Sequence, residues 1–237
     1  MEKATSQLMT FLAQNEYVAL YLPAKFLPRI NPHFSEVVMF LSTQVVDEAR
    51  HVEVFTKRAV VGAGLQRVSS GTQYALKSLL EIDDYVKAKF LLNILGEGTF
   101  DDLFTFLIEV APDPVTREII RLAKRDESRH VGYGVWRTKY QLSHDPSLRK
   151  ELLQAIEERA SYLYAVSGSD PFVTNALAVI AGGGEESNKV EAGMKRLSKL
   201  YEDMHDARVR RLTLAGFEKD EALKISRLHS ANVKSFM

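Results

Sequence analysis

The sequence predicts an all-α protein, a four-helix bundle with one long crossover connection and further helices behind it. Long stretches without glycine or proline, apolar residues three and four apart within them, and the lack of strand-like alternation predict this class. The opening segment, 3–29, carries Leu8, Phe11, Leu12, Val18, Leu20 and Leu22, and must bend at Pro23 if it stays helical to its end. Segment 34–61 holds neither glycine nor proline and repeats Val37, Val38, Phe40, Leu41, Val45, Val52 and Phe55, a long helix. The stretch 62–80, with Gly62, Gly64 and Gly71, is long enough to carry the chain from one end of a bundle to the other. Segment 83–110 is helical through Val86, Phe90, Leu91, Ile94, Phe100, Leu103, Phe104 and Leu107. Segment 115–140 follows it across a short break with Pro112 and Pro114, so the two form an antiparallel pair. Beyond Tyr140 helical patterns continue at 146–166, 171–180, 186–215 and 219–234, with Gly216 a stop between the last two and Gly182 to Gly184 a hinge. The expectation is one domain, 1–237, with a bundle over about 3–140 and additional helices over about 146–235.

Composition narrows the chemistry. Of 237 residues 46% are hydrophobic, and 31 basic side chains balance 31 acidic ones, so no overall positive field exists to hold phosphate backbones. Nucleic acid is excluded as the main partner. There is no cysteine, which removes disulfides, thiolate nucleophiles and iron–sulfur ligation, and leaves any metal to His and carboxylates. No apolar run approaches the roughly 20 residues of a membrane span, and the first ten residues lack a signal-peptide layout, so a cytoplasmic location is expected.

One pentapeptide pattern occurs twice. Asp47-Glu48-Ala49-Arg50-His51 stands in the second helix and Asp126-Glu127-Ser128-Arg129-His130 in the fourth. Glu and His three apart share a helix face, so each pair can offer a carboxylate oxygen and an imidazole nitrogen to one ion. One such pair is commonly a solvated salt-bridge face; two with matching flanks are not. The other two helices should then supply a carboxylate each at the same depth. Helices rise about 1.5 Å per residue, so positions equidistant from a turn lie side by side. Glu127 is 15 residues after Pro112, and 15 residues before it stands Glu97; Glu48 is 16 after Pro32, and 16 before it stands Glu16. Asp101 or Asp102 would replace Glu97 if the turn register differed. Glu16 is the only acidic residue between Lys3 and Ser35 and sits among Leu12, Val18 and Leu20, where an unpaired carboxylate is costly to bury. Beside Glu97, Gly96 and Gly98 read as space for the carboxylate to swing and for a small molecule to approach. Of Phe40, Phe55, Phe90, Phe100, Phe104 and Phe106, two or three should face the site, and His33, His144, His205 and His229 should lie at the surface.

With these motifs the chain resembles the ferritin-like di-iron carboxylate proteins, and most closely the branch holding ribonucleotide reductase small subunits, ligand-binding oxidases and bacterial multicomponent monooxygenases. The resemblance covers about 3–140 and implies a ferritin-like four-helix bundle holding two iron ions, or manganese with iron. It implies that Glu16, Glu48 and His51 hold one metal and Glu97, Glu127 and His130 the other, with Glu48 and Glu127 bridging and Glu97, Glu48 and Glu127 the reactive carboxylates. It further implies that Asp126 orients His51, Asp47 orients His130, and Arg50 and Arg129 neutralise the aspartates. Phe55 and Leu92 stand where parts of that branch carry functional tyrosines, so neither tyrosine chemistry transfers. In length, and in the helix after Gly216-Phe217, the chain is also similar to aldehyde-deformylating oxygenases, whose motifs lack these flanks. The implied activity is a dioxygen-using oxidase or oxygenase with a small apolar organic substrate, an electron-donor protein and a homodimeric state. The alternatives are a ferroxidase handling iron and a radical-generating small subunit serving a partner protein.

Overall fold

The computed structural model describes residues 1–166 and 170–230, and of 161–166 the backbone only. Among the described residues every regular element is helical. The first helix, α1 (Glu2–Phe26), runs past Pro23 and passes into a 3₁₀ turn at Leu27–Arg29. Proline lacks a donor but its carbonyl still accepts, and the Leu27 N–H donates to the Pro23 carbonyl. α2 (Ser35–Val61) returns alongside it.

The crossover departs from expectation, because its second half is a helix, α3 (Ser70–Leu80). The Ser69 hydroxyl starts it by accepting the Thr72 N–H at 3.1 Å. The turn-like Ser69-Ser70-Gly71 is this cap, and Leu76, Leu79 and Leu80 are the buried or half-buried side behind it. The third bundle helix is composite: α4 (Tyr85–Lys89), a π-helical segment (Phe90–Glu97) and α5 (Gly98–Val110). α6 (Pro114–His144) begins at Asp113, whose carboxylate accepts the Thr116 N–H at 2.8 Å, with Pro114 at its first position. Then follow α7 (Leu148–Val166), α8 (Pro171–Gly182), α9 (Ser187–Leu214) and α10 (Lys219–Ser230). The expected helix limit at 234 and the outer bound at 235 lie outside the described residues.

The bundle pairs α1 with α2, and the π segment and α5 with α6, while α2 meets α6 across the middle. The later helices cover it: α8 lies on α1, α9 on α8 and α5, and α10 on α9 and α7. Two apolar layers result. One gathers Leu8, Met9, Leu12, Phe55, Phe104 and Ile120 with Leu177 and Leu200; the other gathers Leu22, Phe26, Phe90, Ile94 and Leu142 with Leu212 and Phe217. On α1 the boundary between the layers falls between Ala13 and Val18, and on the third helix between Leu95 and Leu103. Glu16 and Glu97 sit at those boundaries, so both are sealed from water by apolar side chains above and below. Full burial of one Phe or Leu there contributes about 1.5–3 kcal/mol, which the cost of burying the carboxylates between the layers opposes.

Candidate metal centre

Four helices bring six side chains to one level: Glu16 from α1, Glu48 and His51 from α2, Glu97 from the end of the π segment, and Glu127 and His130 from α6. All six are buried, Glu48 completely. They form two overlapping groups, Glu16, Glu48, His51, Glu127 and Glu48, Glu97, Glu127, His130, each with one donor atom per residue within 4.8 Å of the others. Glu48 and Glu127 belong to both. His51 Nδ1 lies 3.2 Å from Glu48 Oε2, 3.2 Å from Glu127 Oε1 and 4.0 Å from Glu16 Oε1. His130 Nδ1 lies 3.1 Å from Glu48 Oε1 and 3.7 Å from Glu127 Oε2.

Both imidazoles therefore turn Nδ1 inward and Nε2 outward. His130 Nε2 lies 3.2 Å from Asp47 Oδ2, and His51 Nε2 3.5 Å from Asp126 Oδ2. The aspartates cross between the pairs. Arg129 reaches Asp47 at 2.7 Å and Asp126 at 3.1 Å, while Arg50 reaches Asp126 at 3.2 Å and also pairs with Asp47. Both arginines keep half their side chains in water, so the charge of the buried aspartates is led to the surface.

Protonation follows the crowding. Burial pushes Glu16 well above the ordinary carboxylate range, helped by Glu48 and Glu127. Burial, with Glu127 beside it, pushes Glu97 up to about 8. Burial works against ionised Glu48 too, but the His130 and His51 rings against its oxygens outweigh it and hold the group down at about 2. For His51 burial opposes the charged form, yet Glu127 and Glu48 outweigh it and raise the ring to about 11; Asp47 leads the groups that raise His130 in the same way. Protons thus stand in for cations among these carboxylates. Glu48 Oε1, both Glu127 oxygens and His130 Nδ1 are buried without a hydrogen-bond partner among the described residues, donor atoms facing a shared space. Oxygen and imidazole donors in two sets sharing two carboxylates fit a pair of hard or borderline cations.

One alternative falls away and two neighbouring readings change. Asp101 is taken by Lys124 at 3.2 Å and Ser128 at 2.6 Å, and Asp102 by both arms of Arg211 at 2.8 and 2.7 Å, so the register keeps Glu97. Gly98 does not open a cavity: a Cβ there would lie 2.7 Å from Arg211 Nε, so the glycine makes room for that guanidinium. The two cavities described, one beside Leu91, Ile156 and His229 and one beside Leu8, Leu107 and Ile180, are lined by none of the six residues. His229, expected at the surface, is half-buried with Nε2 3.4 Å from Thr99 Oγ1, and burial with Arg208 nearby lowers its pKa. Of the phenylalanines, Phe55 and Phe40 face the site, with ring centroids 6.1 Å from His51 and 6.2 Å from His130. Phe90 packs on Phe217, and Phe100 on Phe104.

Sequence reasoning missed Gln44, Lys89 and Asn93. Gln44 Nε2 donates to Glu97 Oε1 at 2.6 Å, Asn93 Nδ2 to Glu97 Oε2 at 2.7 Å, and Lys89 Nζ to Gln44 Oε1 at 2.6 Å. A signal existed: Gln44 and Asn93 each stand four residues before a site Glu, and Asn93 interrupts the apolar run Phe90-Leu91-Leu92-Asn93-Ile94-Leu95. Gly134 completes the contact, since a Cβ there would lie 2.6 Å from Asn93 Cβ.

The helices and their connections define a ferritin-like helical bundle. A solved structure described as protein 19 with aldehyde deformylating oxidase activity, from Synechococcus, shares this fold with TM-score 0.67 at 16% identity, over 94% of each chain. No family model and no curated protein matches the sequence. No described helix is long and apolar enough to cross a membrane.

Proposed function

We propose that the chain is a di-metal carboxylate oxidase or oxygenase that uses dioxygen on a small apolar organic substrate. In this reading Glu16, Glu48 and His51 would hold one ion and Glu97, Glu127 and His130 the other, with Glu48 and Glu127 available to both. The observation that carries it is the pair of four-residue donor groups sharing those two carboxylates. The aldehyde deformylating oxidase activity described for the Synechococcus protein of the same fold supports the direction. When bound, two iron ions, or manganese with iron, supply the electrons and the Lewis acidity that activate dioxygen.

The chain's own residues supply orientation, charge and exclusion of water. Asp47 accepts from the outer nitrogen of His130, and Asp126 stands 3.5 Å from that of His51, so each aspartate favours the tautomer that leaves Nδ1 of its ring as the lone-pair donor. Glu16 and Glu97, the carboxylates that hold protons most readily, are the groups able to give or take one as ions enter. Phe55 under His51 and Phe40 against His130 keep the imidazoles in apolar surroundings. A donor protein delivering electrons, a homodimer and a cytoplasmic location complete the proposal.

The test is dioxygen uptake by reduced, iron-loaded protein with and without a panel of fatty and aromatic molecules. Uptake stimulated by one of them supports the reading. Uptake driven by ferrous ions alone, at a rate none of them changes, supports iron handling instead.

A further inference from the structure

Lys89 is the buried charge that the metal-centre account leaves unused. It is 4% exposed, and among the described residues it has no carboxylate partner within 4.0 Å and one hydrogen bond, to Gln44 Oε1 at 2.6 Å. An ammonium can only donate. The oxygen of the Gln44 amide must therefore face Lys89, and its NH₂ must face Glu97, where Nε2 stands 2.6 Å from Oε1. On the other oxygen Asn93 Nδ2 stands at 2.7 Å, and Asn93 is itself tied to the His130 carbonyl at 3.2 Å. Glu97 is thus gripped on both oxygens by amide donors whose sense is set from behind. Glu16 receives no such amide contact among the described residues.

We propose that Lys89 is a positioning residue for Glu97, acting through Gln44: it fixes the sense of the Gln44 amide, and that amide with Asn93 fixes the place from which Glu97 reaches an ion. The proposal rests on the di-metal reading. It predicts that the Glu97–His130 half of the centre depends on Lys89 while the Glu16–His51 half does not. A plain charge role predicts the opposite sign, because removing a buried cation should tighten the binding of cations at both halves.

The probe is cobalt(II) alone, titrated into metal-free protein and followed by visible absorption, with Glu16→Gln and Glu97→Gln marking which binding step belongs to which half. Lys89→Met, of similar length and apolar, should weaken the Glu97 step about tenfold and leave the Glu16 step unchanged. Gln44→Ala should do the same, and Lys89→Met added to Gln44→Ala should weaken it no further. Tighter binding at either step, equal loss at both, or a Lys89→Met effect that persists undiminished in the Gln44→Ala background would overturn the proposal. Thermal melts check that each variant folds. A second measurement needs no metal: the side-chain amide proton signals of Gln44 in metal-free protein should be well separated and slow to exchange in wild type, and collapse toward free-amide positions in Lys89→Met. Unchanged signals would overturn the clamp. If wild type takes up no cobalt, the di-metal reading fails while these amide signals still decide the role of Lys89.

Discussion

The two halves of the centre are built on the same pentapeptide yet differ in how their outer carboxylate is held. Glu16 stands on an ordinary helix, α1, and meets the site through Glu48, Glu127 and His51. Glu97 closes a π-helical segment and is gripped by Gln44 and Asn93. An extra residue per turn re-aims a side chain without breaking the helix, which is why π segments so often occur where a group must be placed. The duplicated motif sets two equivalent imidazole–carboxylate pairs, and the fold then makes the two halves inequivalent through the carboxylate each receives from outside the motif.

The harshest way to break the comparison is to remove what the halves share. Glu48→Ala with Glu127→Ala should take metal content from about two ions per chain to none, measured by elemental analysis after dialysis. Retention of both ions would refute a shared centre. Removing one outer carboxylate sharpens the comparison instead. Glu16→Gln and Glu97→Gln should each leave about one ion per chain; loss of both ions in either variant would mean that the halves do not fill independently.

A smaller effect is expected one step further out. Asp126→Asn should weaken metal binding roughly 10- to 100-fold, and mainly at the half containing His51, because the amide no longer fixes that ring's tautomer. Asp145→Asn, on the surface, is the control, and equal effects from the two substitutions would remove Asp126 from the account.

The mildest effect is the response to pH. In metal-free folded protein Glu97 keeps its proton up to about 8 and His51 up to about 11, against 4.5 and 6.5 for the same groups in ordinary surroundings. The folded state therefore binds more protons than the unfolded chain between those values. Their stabilisation is fully present below the ordinary values and is lost as pH rises, Glu97 first and His51 later. The metal-free melting temperature should fall from pH 5 to pH 8, and divalent metal, which replaces the protons, should bind more tightly as pH rises over the same range. Lys89, lowered to about 8 by burial, works the other way above that pH, so the fall should slacken there. A melting temperature that does not change with pH would contradict the protonation pattern.

Much of this was legible in the sequence because helices turn spacing into geometry. The Glu-His steps of three residues, and the equal distances of Glu16 and Glu48 from Pro32 and of Glu97 and Glu127 from Pro112, place six side chains at one level. What stayed hidden depends on departures from the regular period or on partners far along the chain. The π segment cannot be read from an apolar run, since every position of Phe90-Leu91-Leu92 is buried whichever period applies. Gly98 looked like open space because its occupant, Arg211, comes from α9, more than a hundred residues later. Lys89 and Gln44 are unremarkable letters in their own helices, and acquire a role only where α2 and α4 place them against each other.

The central claim is that two ions share Glu48 and Glu127. Crystals of protein loaded with iron or manganese, with anomalous diffraction recorded at both absorption edges, test it most directly. The account predicts two peaks about 3.5–4 Å apart between those carboxylates, one beside Glu16 and His51 and the other beside Glu97 and His130. A single peak, or ions bound only outside the bundle, would contradict it.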